Sequence, residues 1–314
     1  MKKFKGILLL VVMSLLTLTA CNGANSVGAT NTAASDAENG VVAAVADVVD
    51  AGKGFNADKD ITVVSREDGS GTRGAFIELF GVEVKNDDGT RKDMTTKEAI
   101  IAKQTDVMMT NVVGDNYAIG YISLGSLNDT VKALEIEGVV PTADNVKNGS
   151  YTVSRPFNIA TMGEPTGLAK DFIDFIMSAD GQAVVGGSYI AIDDNSPAYS
   201  GSGSGKIVVA GSSSVTPIME KLKEAYVAIN TGATIEIQMS DSSAGITGAI
   251  DGTCDIGMAS RDLKDSELEK LTPIQIALDG IAVIVNHANP QANLSTEQVR
   301  AIFTGEVLKW SEIN

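Results

Sequence analysis

Histidine and cysteine are nearly missing from this chain, with one His and two Cys among 314 residues. A Ser-His-Asp triad or a His-built metal site is hard to assemble from His287 alone, and no metal or cofactor is expected. That histidine sits in the turn-rich Asn286-His287-Ala288-Asn289-Pro290 and reads as surface loop. Aromatics make up only 5%, against 32 glycines. That balance disfavours an aromatic-rich sandwich and suits an α/β protein with many tight strand-to-helix turns. Basic residues are outnumbered, 24 to 40, for a net charge of −16. Nucleic acid and an anionic membrane face are therefore poor partners. A small anion stays open, because backbone N–H groups and helix N-termini bind anions with few positive side chains.

The N-terminus supplies the clearest local pattern. Lys2, Lys3 and Lys5 precede an apolar run from Gly6 to Leu18, too short and too early for a stable span. It ends in Leu18-Thr19-Ala20-Cys21, which looks like a bacterial lipobox, so 1–20 reads as a lipoprotein signal peptide and Cys21 as the lipid attachment point. The competing reading is an ordinary signal peptide with a chance cysteine. Asn22 to Asn39 is rich in Ala, Ser, Thr, Asn and Gly without apolar period, and 21–59 is expected to be a tether. A short helix is expected over 41–51. Cys254 then has no partner for a disulfide in the mature chain, and reads as a small buried hydrophobe at a strand start.

Regular structure is expected from Asp60 onward. The β-branched Asp60–Ser65 reads as a strand, followed by a Gly-rich turn and a helix over 73–80. Strands are expected at 118–124 and 157–160, with an amphipathic helix at 168–177. Residues 196–205, Ser-Pro-Ala-Tyr-Ser-Gly-Ser-Gly-Ser-Gly, are a linker by composition. After it, βα units follow at 207–210 with 215–229, 234–238 with 243–250, and 255–258 with 263–271. The run 281–285 is apolar on both faces. Such alternation predicts mainly parallel sheet with helices on both sides.

Three strand-to-helix turns share one chemistry. Gly211-Ser212-Ser213-Ser214-Val215-Thr216-Pro217, Asp241-Ser242-Ser243-Ala244-Gly245 and Arg66-Glu67-Asp68-Gly69-Ser70-Gly71-Thr72 each present hydroxyls and free N–H donors at a helix start. Each alone reads equally as an ordinary N-cap. In an open α/β sheet, however, the C-terminal strand ends share one edge where ligands bind. Arg66 adds a guanidinium able to pair with two oxygens. Enzyme motifs fit worse. Gly201 to Lys206 departs from a P-loop at Ser200 and Ile207, and no Gly-x-Ser-x-Gly elbow ends a strand.

Val63 to Phe76, Ala118 to Gly125, Tyr151 to Asn158, Gly211 to Pro217, Asp255 to Leu263, Ala277 to Asn286 and Leu294 to Ile313 together resemble the phosphate-binding proteins of the phosphate ABC transporter. The order differs from that family. There the Gly-Ser-Ser-Ser turn comes near the N-terminus, whereas here it follows the Arg-x-x-Gly-Ser-Gly-Thr turn, as a circular permutation would arrange it. The resemblance implies a two-lobed fold of the type II periplasmic-binding-protein kind, each lobe a mainly parallel sheet flanked by helices. One lobe would be 60–156 plus 282–314, the other 157–281, with strands crossing near 155–157 and 280–283.

It also implies a function: a lipid-anchored bacterial protein, of the Gram-positive kind, on the outer face of the cytoplasmic membrane. It would act as a monomer, capture inorganic phosphate and hand it to ABC permease subunits. Ligand contacts would come from the Ser214 hydroxyl, the Val215 N–H, Ser242, Arg66, Ser70, Gly71 and Thr72, with Asp68 orienting Arg66. Ser260 stands where the family carries an Asp that accepts the proton of hydrogen phosphate, although a hydroxyl also accepts. Another oxyanion such as sulfate or molybdate, or an extracellular phosphatase using the same cradle, are the alternatives.

Overall fold

The computed structural model describes residues 54–86, 91–193 and 195–313. The leader 1–20, Cys21, the tether up to residue 53 and the helix expected at 41–51 lie outside the described residues.

The chain enters through β1 (Thr62–Arg66), α1 (Gly71–Leu79), an antiparallel pair β2 (Glu83–Lys85) and β3 (Arg91–Asp93), β4 (Ile100–Ala102), α2 (Thr105–Gly114) and β5 (Ala118–Ser123). Short β6 (Lys132–Ala133), β7 (Glu135–Ile136) and α3 (Ala143–Lys147) lead to β8 (Ser154–Thr161), α4 (Gly167–Ile176) and α5 (Ala179–Gly186). Next come β9 (Gly205–Ser212), α6 (Thr216–Ile229), β10 (Ala233–Ser240), α7 (Ser242–Asp251), β11 (Ile256–Ala259) and α8 (Asp265–Leu268). The long β12 (Thr272–Val285), β13 (Asn293–Leu294) and α9 (Thr296–Thr304) follow.

Local chemistry explains the boundaries. Ser70, Asp241 and Ser295 each cap a helix by accepting the N3 amide, from Arg73, Ala244 and Gln298 respectively. Helices α7 and α9 stop at Gly252 and Gly305, both left-handed, a conformation that costs glycine little. Helix α8 is shorter than the charged run 263–271 predicts, because Thr272 already belongs to β12 and the chain must turn before it.

Among the described residues, nine strands form one sheet in the order β10-β9-β11-β8-β12-β5-β1-β4, with β6 added against β12. The β10–β9, β9–β11, β5–β1 and β1–β4 pairs are parallel, as the βα alternation predicts. Strands β8 and β12 run antiparallel to each other and to β11 and β5, joining the parallel groups into one sheet rather than leaving two. Residues 272–280 escaped the sequence reading because Thr272, Pro273 and Gln275 are exposed and break the apolar run.

Two main hydrophobic cores flank this crossing. One gathers Val63, Phe76, Ile119, Tyr121, Ile284 and Phe303; the other gathers Phe157, Phe172, Val209, Ile218, Met258 and Ala277. Along β8 the change falls between Val153 and Phe157, and along β12 between Ala277 and Ile281. A smaller cluster around Ile246, Ala249, Cys254 and Leu263 packs under α7, so Cys254 is a buried core thiol.

Two stretches that composition assigns to a tether and a linker are docked on the folded part. Residues 54–59, placed in the tether, lie on the first core: Phe55 packs 5.0 Å from Tyr117 and 6.4 Å from Trp310, and Ser311 donates to the Ala57 carbonyl. The Gly/Ser stretch 196–205 is a strap rather than a loose linker. Tyr199 and Tyr226 both donate to Asp171 Oδ2 at 2.5 Å, and the Tyr199 amide donates to Asp180 at 2.7 Å. Its glycines serve close approach: a Cβ on Gly203 would collide with the Tyr226 hydroxyl and lie 2.5 Å from Asp171. Gly203→Ala is therefore expected to lower the unfolding free energy by about 1–3 kcal/mol in urea titrations. Gly114→Ala, whose Cβ meets nothing within 4 Å, should leave it nearly unchanged.

Candidate anion site

The end of β1 is fastened to the first core by one hydroxyl. Tyr121 stacks on Phe76 at 3.8 Å, and its phenol oxygen accepts the Arg66 amide at 3.1 Å and bonds Ser65 Oγ at 2.9 Å. Burial pushes the Tyr121 phenol up, so it stays neutral. Arg66 thereby leaves the strand at a fixed point with 1% exposure.

Its guanidinium is held on two edges. Nε and Nη2 donate to the two oxygens of Glu67 at 2.9 and 2.7 Å, a bidentate pairing. Nε also donates to the Ala102 carbonyl at 3.2 Å, and Nη2 to Ser213 Oγ at 3.0 Å in the opposite half. Nη1 is buried without a protein partner.

Beside the Ser213 that Nη2 bonds, the three turns converge. Thr72 Oγ1 and Ser214 Oγ are 2.8 Å apart across the boundary between the halves. Ser212 Oγ donates to Ser260 Oγ at 3.0 Å, and the Ser260 amide donates to Ser242 Oγ at 3.1 Å. A Cβ on Gly71 would lie 2.5 Å from Ser242 Oγ and 2.8 Å from Ser260 Oγ, which brings the first turn of α1 onto the same cluster. Gly71 and Thr72 open α1, where amides have no acceptor within the helix. Thr72, Ser212, Ser213, Ser214, Ser242 and Ser260 are at most 3% exposed. A buried guanidinium, hydroxyls and helix-start amides gathered at one place have the donor chemistry that suits a small oxyanion.

Most of the residues singled out in the sequence thus meet: Arg66, Gly71, Thr72, Ser214, Ser242 and Ser260. Ser70 is buried beside them, with its hydroxyl engaged as the α1 cap. Two expectations need correction. Asp68 does not reach the Arg66 guanidinium; it is exposed and pairs with Arg73 at 2.7 Å, and Arg73 in turn donates to the Arg66 carbonyl. Glu67 takes the orienting role, because the chain turns out of β1 at Arg66 and folds the next side chain back alongside it. The Val215 amide, expected to face ligand, donates to the Ser212 carbonyl at 3.0 Å, closing the turn on itself. Sequence reasoning named neither Glu67, Ser213 nor Tyr121 as site residues. Only Ser213 left a signal, as the middle hydroxyl of the Ser-Ser-Ser turn.

Beside the cradle a cleft of about 370 Å³ is lined by Asp68, Ser70, Arg73, Arg91, Arg261 and Lys264, among others, drawn from both halves. Its arginines are neutralised: Arg73 by Asp68 and Asp93, Arg91 by Glu83 and Glu78, Arg261 by Glu267. Among the described residues, no group of three His, Cys, Asp or Glu side chains could hold a metal ion. None of the described helices is long and apolar enough to cross a membrane.

Residues 23–180 and 196–313 match the model of the PBP superfamily domain. This chain belongs to the PBP superfamily. Within it, the chain is 55% identical over 258 residues to the phosphate-binding protein PstS 2 of Streptococcus agalactiae, spanning 81% of this chain and 88% of that one. It is 46% identical to a phosphate ABC transporter phosphate-binding protein from Streptococcus pneumoniae known from its crystal structure. That match covers 81% of this chain and 100% of the other, at a TM-score of 0.66. The phosphate-binding protein PstS of Bacillus subtilis is 37% identical over 141 residues, 44% of this chain.

In this PBP superfamily member the close approach at Gly71 gives a direct test of the cradle. Gly71→Ala pushes a methyl group against Ser242, Ser260 and the Arg261 stem. Oxyanion affinity, measured by titration calorimetry, is expected to fall by roughly 1–3 kcal/mol. Gly74→Ala, one turn along the same helix and 4.0 Å from Arg261, should bind normally.

Proposed function

We propose that this chain is the extracellular capture subunit of a phosphate ABC importer, holding inorganic phosphate between two lobes, 60–156 plus 282–314 and 157–281, that close on it. The carrying observation is the cradle itself. Arg66 Nη1 is buried without a protein partner, on a guanidinium whose Nη2 bonds Ser213 in a cluster of hydroxyls from three distant turns and both halves. The names of the streptococcal relatives, which match most of the chain, support the same ligand. Ser214, Ser242, Ser260, Ser70 and Thr72 supply hydroxyls, Gly71 and Thr72 supply amides, and Arg66 supplies the charge. A hydroxyl at Ser260 donates or accepts according to the protonation of the anion. Hinge closure of this kind binds without chemistry on the ligand. The leader and Cys21 place the folded part on the outer face of the membrane through a lipid, and a permease receives the anion.

The segment order fits a circular permutation. The Ile61 amide donates to the Leu308 carbonyl at 2.7 Å, and Asp60 bridges Lys309, so the strand leading into β1 lies beside the segment before residue 313. A relative sharing this order aligns nearly throughout, as the Streptococcus agalactiae protein does. One with the other order aligns over a single block, and the Bacillus subtilis match is of that size.

Titration of the purified protein with phosphate at fixed ionic strength is expected to give saturable binding in the micromolar range or tighter. Arg66→Ala should weaken it roughly 10- to 100-fold, because a charged donor is worth about 1.5–3 kcal/mol. Ser214→Ala should cost about 0.5–1.5 kcal/mol, a few-fold in affinity. Equal losses from the two variants would remove Arg66 from the site.

A further inference from the structure

The boundary between the cores holds a second buried arginine. Arg155 on β8 stands directly opposite Asp279 on β12, in register, and both side chains are at most 2% exposed. The ion pair is a single long contact, Nη2 to Oδ2 at 3.3 Å. Asp279 also accepts from the Gly125 amide at 3.2 Å, and the Ser123 hydroxyl lies beside its carboxylate. Arg155 Nε and Nη1 have no hydrogen-bond partner in the protein. The Ser123, Ser126 and Tyr189 hydroxyls lie against one another and Ser123 against the Asp279 carboxylate, but none reaches good hydrogen-bond geometry. These five atoms are most of the buried side-chain polar atoms without partners among the described residues, and they gather at one place.

That place is where the halves join. Ser123 ends β5 and Ser126 follows it, on the side of the first core. Tyr189 belongs to the second core, while its neighbour Ile190 bridges Leu278 on β12 and packs in the first. The Tyr189 ring fills the space where a side chain on Gly125 would stand. Three crossing segments therefore press their polar groups together without completing their bonds. Burial pushes the Asp279 carboxyl up to about 6 even with the Arg155 guanidinium beside it, a measure of how dry the cluster is. The Arg66 charge also lies near enough to press on Arg155.

We propose that Arg155, Asp279 and Tyr189 are positioning residues that set the balance between open and closed lobes, and so the affinity for the anion, without touching it. The proposal rests on the lobe-closure reading above. Closing desolvates these groups and leaves bonds unmade, which costs free energy. Opening parts the surfaces that carry Ser123, Ser126 and Tyr189 and lets water complete the bonds. The cluster thus pushes against closure, and the anion must supply the difference.

The experiment compares the full chain with the Arg155→Met/Asp279→Leu double variant, which leaves no lone buried charge. Two quantities are read with and without inorganic phosphate: the radius of gyration by X-ray scattering, and phosphate affinity with its release rate. The expected double variant is nearly as compact without phosphate as with it. It should bind about fivefold tighter or more, through slower release, because a larger fraction rests in the closed form. Tyr189→Phe, which removes one hydroxyl and no charge, should move both readouts the same way by a smaller amount, and serves if the double variant fails to fold. Variants that fold and match the wild type in compactness and affinity, or bind more weakly, would overturn the proposal. A wild-type radius that phosphate does not change would overturn lobe closure itself, and this inference with it.

Discussion

A guanidinium taken out of water must be neutralised and hydrogen-bonded, or the fold cannot hold it. Arg66 meets that demand on two edges through Glu67, the Ala102 carbonyl and Ser213, and leaves the third nitrogen over. The rest of the site follows from this arrangement. Tyr121 anchors the strand end so that the guanidinium arrives at a fixed depth, and the Phe76 ring stacked on Tyr121 ties that anchor to the core. Ser213 reaches it from the other half, so the charge itself draws the two halves together. Because Glu67 already balances the charge, an incoming anion is held chiefly by hydrogen bonds from a dry, prearranged set of donors. Such a set of donors suits reversible binding.

The chemistry of the turns was open to reading in the sequence, whereas the pairings inside them were not. Hydroxyl-rich strand-to-helix turns are local patterns, and topology alone brings them to one edge of the sheet, so Arg66, Thr72, Ser214 and Ser242 meet as expected. Which acid serves Arg66 depends on how the chain leaves β1, a matter of a single backbone turn. Asp68, two residues on, points outward to Arg73, and Glu67 folds back. The family resemblance placed the crossings near 155–157 and 280–283, but the length of the antiparallel strand before the second one was hidden. Residues 281–285 have the apolar character of a buried strand, but 272–280 pass along a partly exposed edge where polar residues interrupt the pattern. Composition marks 196–205 as a linker but not how it lies. Serine and glycine suggest freedom, yet Gly203 is small because Tyr226 and Asp171 occupy the space a side chain would need.

The two buried arginines divide the work by the quality of their pairing. Arg66 has a bidentate carboxylate, a carbonyl and a hydroxyl, and one nitrogen left over. Arg155 has one long ion-pair contact and the face of the Phe157 ring 5.4 Å away, and two of its nitrogens have no hydrogen-bond partner. A complete shell with one opening is the form of a binding group, and an incomplete shell on crossing strands is the form of a spring. Both lie on the same sheet, at most a few strands apart, so that the strand geometry that positions one also positions the other.

The net charge of −16 looks unfavourable for an anion trap, and its range shows why it is not. At physiological ionic strength the screening length is about 8 Å, so carboxylates spread over a protein of this size scarcely act on an ion at the cleft. At the cleft each arginine already has its acid, and beside it the hydroxyls of the three turns are buried. Short-range donors decide the outcome once water is excluded, because their bonds strengthen as the local dielectric falls. An acidic exterior and an anion-holding interior are thus governed by different distances, and one chain can carry both.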